Sequence, residues 1–116
     1  MRNFRELDVW NDSIAFVKLA YLHISDFPKE EKFGFKSQIA RAVVSIPSNI
    51  AEGCSRNSQR EFSRFWQIAL ESSYELETQL HISKEIGILS EEKYTLLVIE
   101  LNRIQKRMNS LRKYAD

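Results

Sequence analysis

Residues 37–53, SQIARAVVSIPSNIAEG, decide the fold of this chain, because they keep a helical rhythm while carrying a proline and a polar stripe. Ile39, Val43, Ile46 and Ile50 recur at spacings of four, three and four, which places them on one side of a helix with Ala42 beside them. That side is a core face. At about 100° per residue, Arg41, Ser45, Ser48 and Glu52 form a second, polar stripe flanked by Gln38 and Asn49. Pro47 cannot donate to the carbonyl of Val43 and its ring crowds that turn, at a cost of about 3 kcal/mol in a helix interior unless packing offsets it. The helix is therefore expected to bend near Val43. Ser45 and Ser48 either offer hydroxyls to the loosened backbone or back-bond and meet water, as serine in mid-helix commonly does.

Toward the N-terminus, a helix is expected over about residues 7–25, where Leu7, Trp10, Ile14, Val17, Tyr21 and Ile24 keep a three-four rhythm as a core stripe. A second line, Val9, Ser13, Phe16, Ala20, His23 and Phe27, keeps the same rhythm about 100° around the cylinder. Either one wide stripe faces the core, or the surplus line, with Phe16 at its centre, is covered by another subunit. Asp26–Glu31, with Pro28 and four charges, reads as a turn before a central helix over about residues 33–53. Phe33 and Phe35 flank Gly34 and are expected to close one end of the core.

Toward the C-terminus, Ser58 and Glu61 have capping-box spacing and open a helix over about residues 59–86. Phe62, Trp66, Ala69, Ser73, Leu76, Leu80 and Ser83 make its seam, the cleanest heptad in the sequence. Ile68, Ile82 and Ile86 lie off that seam and call for a partner helix, which marks Ile82 with Phe16 as the candidate oligomer interface. Gly87 is placed as a C-cap, Ser90 as an N-cap, and Leu89 with Tyr94 as a hydrophobic staple opening a last helix over about residues 91–113. There Tyr94, Leu97, Leu101, Ile104, Met108 and Leu111 share one face. Arg103, Lys106, Arg107 and Lys113 project from the other. Five basic residues and no acid occur between Arg103 and Lys113. Cations near a helix C-terminus oppose the macrodipole favourably, so the run is either a solvated face or a nucleic-acid surface.

The totals limit what the chain can do. Its 116 residues suit one domain that buries about two thirds of its unfolded surface. With 43% hydrophobic residues, three glycines, two prolines and no alternating β-rich run, an all-α chain is expected. The single cysteine, Cys54, cannot form an internal disulfide, and with no leader recognisable at the N-terminus a reducing cytoplasm is the expected compartment. No apolar run approaches the roughly 20 residues of a membrane span. Seventeen Lys and Arg against sixteen Asp and Glu leave a net charge of +1, so any nucleic-acid contact has to come from local clustering. Arg60 with Arg64, one turn apart and opposite Phe62 and Trp66, form one such edge, and Arg103 with Lys106 and Arg107 another.

The sequence offers no catalytic constellation. His23 and His81 fall on different helices, and neither follows a carboxylate at the spacing that di-iron bundles use. Glu77, His81 and Glu85 share an edge but span about 12 Å, too far to converge on one ion. There is no glycine-rich phosphate loop and no nucleophile elbow, so the chain reads as a non-enzyme without cofactor or metal. Cys54, beside Gly53, is either exposed and reactive or incidental. The polar stripe is assigned a structural role, with Arg41 and Asn49 meeting Glu75, Glu77 or Gln79; the alternative is a ligand or peptide site beside Pro47.

QIARAVVSIPSNIAEG, then SQREF and ELETQL at Glu75–Leu80, together with LDVW near the N-terminus and FPKEEKFGF before the central helix, resemble the 23S rRNA-intervening-sequence proteins over nearly the whole chain. Gln38, Arg41, Ser45, Pro47, Asn49, Glu52 and Gly53 are the signature positions. Glu71 departs from the pattern, since relatives often carry Gly before the serine that is Ser72 here. The resemblance implies an all-α, up-down four-helix bundle that assembles as a ring-like homo-oligomer, a pentamer, with no known catalytic activity. Members are encoded inside large-subunit ribosomal-RNA genes or elsewhere in bacterial genomes. A related branch serves diversity-generating retroelements by binding a reverse transcriptase and nucleic acid. Two functions stay open: an oligomeric scaffold that binds RNA or a ribonucleoprotein, and a protein-protein adaptor, for example for a reverse transcriptase.

Overall fold

Short connections between long amphipathic segments leave each helix little choice but to fold back on its predecessor. The computed structural model describes residues 2–115, with side-chain surroundings through residue 111. A 3₁₀ turn at Phe4–Glu6 leads into α1 (Asp8–Ile24), and a second at Lys29–Glu31 precedes α2 (Phe35–Cys54), α3 (Gln59–Glu85) and α4 (Glu91–Ala115). Among the described residues the regular structure is entirely helical. α2 packs on α3, α3 on α4, and α1 on both α2 and α4, giving an up-down bundle. Its 43 Å length matches the roughly 40 Å that the 27 residues of α3 span at 1.5 Å each.

The boundaries follow local chemistry. Ser58 Oγ accepts from the Glu61 N–H at 3.1 Å and opens α3. At its far end Gly87, with φ +85°, takes the left-handed conformation that a Cβ would strain. The Ile88 and Gly87 N–H groups reach back to the Ser83 and Lys84 carbonyls at 3.0 Å each, a Schellman closure. Ser90 Oγ accepts from the Lys93 N–H at 3.2 Å and starts α4. α2 opens at Phe35 rather than at residue 33, because Gly34 is non-helical (φ −103°, ψ −116°) and the Glu31 carboxylate accepts from the Phe35 N–H at 3.2 Å. Phe33 is left 88% exposed, and Phe27, not Phe33, joins the core at that end beside the half-buried Phe35.

The expected core faces of α2 and α3 are buried. Ile39, Ala42, Val43, Ile46 and Ile50 face inward, and α2 continues as helix through a buried Pro47. On α3 all seven seam residues from Phe62 to Ser83 are buried, and Trp66 Nε1 donates to the Met108 carbonyl at 2.9 Å, fixing α3 against α4. In α1 the assignment reverses. Of the second line Val9, Ser13, Phe16, Ala20 and Phe27 are buried and His23 is half-buried, whereas of the expected core stripe only Ile24 is buried, Leu7, Trp10, Ile14 and Val17 being half-buried and Tyr21 49% exposed. Ser13 and Ala20 explain the choice, since small residues at the centre of a stripe let neighbouring helices approach closely. Phe16, at 3% exposure, is therefore a core residue of the monomer and not an uncovered interface residue. Ile82 does remain 38% exposed.

Candidate nucleic-acid interface

The antiparallel order carries the start of α1, the end of α2, the start of α3 and the end of α4 to one end of the bundle. Arg2, Arg5, Arg56, Arg60, Arg64, Lys106 and Arg107 lie toward this end among Glu6, Asp8, Asp12, Glu52 and Glu61, Arg103 stands at the middle of α4, and Lys29, Lys32, Lys36, Lys84 and Lys93 lie toward the other end among Asp26, Glu30, Glu31, Glu85, Glu91 and Glu92. The two edges read from the sequence share the arginine-rich end but occupy different faces. Arg60 and Arg64 are exposed on α3, opposite its seam, and neither meets a carboxylate among the described residues. Arg103 and Arg107 lie on the α1 side of α4, where Arg103 pairs with Glu100 at 2.8 Å and Arg107 with Asp12. Those pairs are half-exposed, hence worth under about 1 kcal/mol each, but they occupy the two guanidiniums. Lys106 stays exposed between them, and the side chain of Lys113 lies outside the described residues.

Three arginines of this end are not evident from sequence spacing. Arg2 sits over the Phe62 ring at 4.0 Å, donates to Gln59 at 3.1 Å, and bonds through its N–H to the Cys54 carbonyl. Arg56 sits over the Phe65 ring at 4.6 Å while paired with Glu52, and Arg64 approaches the same ring at 5.8 Å. Arg5 covers Phe4 at 4.4 Å. A guanidinium held against a ring has fewer conformations to lose on binding, although Arg56 Nε is buried without a partner. Alternating Arg and Phe in RNSQREFSRF, residues 56–65, is the signal that could have found Arg56.

The polar stripe of α2 lies elsewhere. Gln38, Arg41, Ser48 and Glu52 are exposed, and Arg41 has no partner among the described residues, contrary to the pairing expected for it. Only Ser45 and Asn49 are tied in. Asn49 donates to the Ser45 carbonyl at 2.8 Å and to its hydroxyl at 2.9 Å, and that hydroxyl meets Ser72 on α3 at 2.8 Å. Glu77 instead turns to α4, where Asn102 and Gln105 donate to it at 3.1 and 3.0 Å, because it sits one step around α3 from the buried Leu76. Gln79 is buried with Oε1 unpaired. Gly53 has Phe65 Cβ and the Phe62 carbonyl where its own Cβ would reach, so it sets the close approach of α2 to α3. Cys54 is 1% exposed and burial pushes its thiol above the ordinary range, with Arg2 pulling weakly the other way; it is not an exposed reactive group. Among the described residues no group of three or more His, Cys, Asp or Glu is placed to hold a metal, and no helix is long and apolar enough to cross a membrane.

The family model described as "23S rRNA-intervening sequence protein" matches residues 5–110. The chain belongs to this family. Among solved structures it is similar to one from Bacteroides thetaiotaomicron, described as a protein with unknown function from the S23 ribosomal protein family. The two share 25% sequence identity and a TM-score of 0.80 over 90% of this chain and 98% of that one. No curated protein matches the chain. The matched region includes Arg5, Arg56, Arg60, Arg64, Arg103, Lys106 and Arg107, so these candidate residues fall inside the family domain and Arg2 does not.

Proposed function

We propose that this member of the family is a non-catalytic cytoplasmic scaffold that assembles into a ring-like homo-oligomer, a pentamer, and binds RNA through its arginine-rich end. One observation carries the RNA contact: Arg2, Arg56 and Arg64 are held against Phe62 and Phe65 next to Arg60, which meets no carboxylate among the described residues. A single copy with net charge +1 has little long-range attraction for phosphates. Repetition around a ring raises the effective concentration for each further contact, which makes assembly a condition of binding. Arg60 and Arg64 carry more of this reading than the ion-paired Arg103 and Arg107.

Filter binding of a structured RNA at several salt concentrations tests this. Arg60→Glu/Arg64→Glu should weaken binding and flatten the log-log salt slope by about 0.7 for each single-strand phosphate no longer neutralised. Charge reversal of Arg103, Lys106 and Arg107 should change it less. Equal affinity and slope in all three proteins, with the oligomer intact, would reject RNA binding at this end. The adaptor reading would then lead, supported by the cleft of about 420 Å³ between α1 and α4 that Ala15, Phe16, Leu19, Leu96 and Ile104 line together with Asp12, Glu100 and Arg103.

A further inference from the structure

Among the described residues, the aromatic rings at the arginine-rich end are already occupied. Arg2 lies over Phe62 at 4.0 Å and Arg5 over Phe4 at 4.4 Å, while Arg56 and Arg64 approach Phe65 at 4.6 and 5.8 Å. Phe62 and Trp66 are in addition buried, and Trp10 is half-buried in T-shaped contact with Phe4, 5.1 Å between ring centres. The exposed rings of the bundle, Tyr21, Phe33 and Tyr74, stand at mid-bundle or toward the lysine-bearing end. What the arginine end offers a ligand is therefore N–H donors. Arg60 and Arg64 are exposed one turn apart with no carboxylate partner among the described residues, and Arg5 and Asn57 are exposed at the same end.

The form of the RNA follows from this arrangement. Single strands are held largely by unpaired bases stacked on aromatic side chains, whereas double-helical RNA keeps its bases stacked on one another and presents phosphates and 2′-hydroxyls. A base reaching Phe4 or Phe65 would have to displace a guanidinium, losing the cation–ring contact and moving a charge that the phosphates attract. The acids at this end, Glu6, Glu52 and Glu61 among them, act in the same direction. They offset the attraction for a sparse row of phosphates more than for a duplex, which carries about twice the axial charge density of one strand.

We infer that the arginine-rich end takes double-helical RNA in preference to single strands, holding phosphates with its guanidiniums and leaving the bases unread. This rests on the RNA reading above and names the form of RNA that it concerns.

A short RNA duplex and an oligouridine with the same number of phosphates are each competed against a labelled structured RNA on the intact oligomer. The duplex should compete better by about tenfold or more, since the oligouridine forgoes the base stacking on which single-strand affinity depends. Arg5→Gln/Arg56→Gln uncovers Phe4 and Phe65 at exposed or half-exposed positions, so the melting temperature should hold. In that variant the duplex should compete several-fold less well and the oligouridine as well as before or better, so that their ratio falls. An oligouridine that competes with the parent as well as the duplex does would overturn the preference while leaving RNA binding in place. A ratio unchanged in the folded variant would show that the covered rings do not set the preference, and would also overturn it. Binding of neither RNA would remove the RNA reading and this inference together.

Discussion

Phe16→Glu and Ile82→Glu should part company. Phe16 is 3% exposed and forms one wall of the α1–α4 contact, whereas Ile82 is 38% exposed on α3. Truncating a buried Phe costs about 3 to 5 kcal/mol, and a carboxylate in its place adds the cost of an unpaired polar group. Against a domain stability of about 5 to 15 kcal/mol, Phe16→Glu should leave the protein marginal or unfolded. At about 4 °C per kcal/mol for a chain of this size, the midpoint should fall by well over 10 °C. Ile82→Glu loses only part of one side chain's burial, so the monomer fold should change by less than about 1 kcal/mol. Far-UV circular dichroism melts and urea titrations give stability, with sedimentation velocity on the same samples for assembly. A Phe16→Glu protein that melts cooperatively within a few degrees of the parent but fails to assemble would refute the core placement and restore Phe16 to an interface.

Other expectations follow from single observations. Arg41→Ala should change stability by under about 0.5 kcal/mol, against about 3 to 5 for breaking a buried pair; a larger loss in a urea titration would mean Arg41 has a partner. Gly53→Ala should destabilise by about 1 to 2 kcal/mol despite better helix propensity, since the new Cβ would lie 3.1 Å from Phe65 Cβ and 3.2 Å from the Phe62 carbonyl oxygen; a gain would show that the α2–α3 contact relaxes. Cys54 should react slowly with a thiol reagent at mildly alkaline pH and rapidly in urea, because burial raises its pKa and blocks access; a rate unaffected by urea would contradict this. The hydrogen bond from Lys93 lowers the pKa of Asp26 below 3.8, so the contribution is present above that value and lost as pH falls through the lower folded one. Any melting difference between parent and Asp26→Asn should accordingly be present at neutral pH and vanish in acid.

The heptad of α3 was legible because its seven positions repeat without ambiguity, and the inner face of α2 because only one apolar stripe exists there. α1 was not, because two stripes of equal rhythm lie side by side, and the choice between them depends on which neighbour needs a small residue opposite it. That is a property of α2 and α4, absent from the α1 sequence. Phe33 failed for a related reason: a two-residue difference in where α2 begins turns its ring from the core to solvent, and that start is set by Gly34 and the Glu31 carboxylate. At the candidate site, the exposure of Arg60 and Arg64 on α3 was legible from spacing alone. The place of Arg2 was not, since it takes the folded chain to lay it across Gln59 and Phe62 at the start of α3; the ring under Arg5 is its neighbour Phe4. Arg107 looked free because its partner Asp12 is ninety-five residues away in sequence, whereas the Glu100 partner of Arg103 stands only three residues before it and was open to a reading by helical spacing.

The monomer is polarised in a way that bears on assembly and binding together. Exposed Leu22, Phe33, Ile82 and Ile86, with Leu96 and Ile99 on the first half of α4, lie toward the lysine-bearing end, while Val44 and Tyr74 are exposed near mid-bundle and Leu111 at the arginine end. The ring-mounted arginines lie at the other. Apolar side chains left in water are the natural surface for a neighbouring copy, whereas Arg60 and Arg64 gain nothing from burial without anionic partners. An assembly that covered the first set would leave the second free in every copy. Were the arginine end the subunit contact instead, Arg60→Glu/Arg64→Glu would change the oligomeric state before it changed RNA affinity. The order in which those two properties fail in the same variant thus separates a binding surface from an assembly surface.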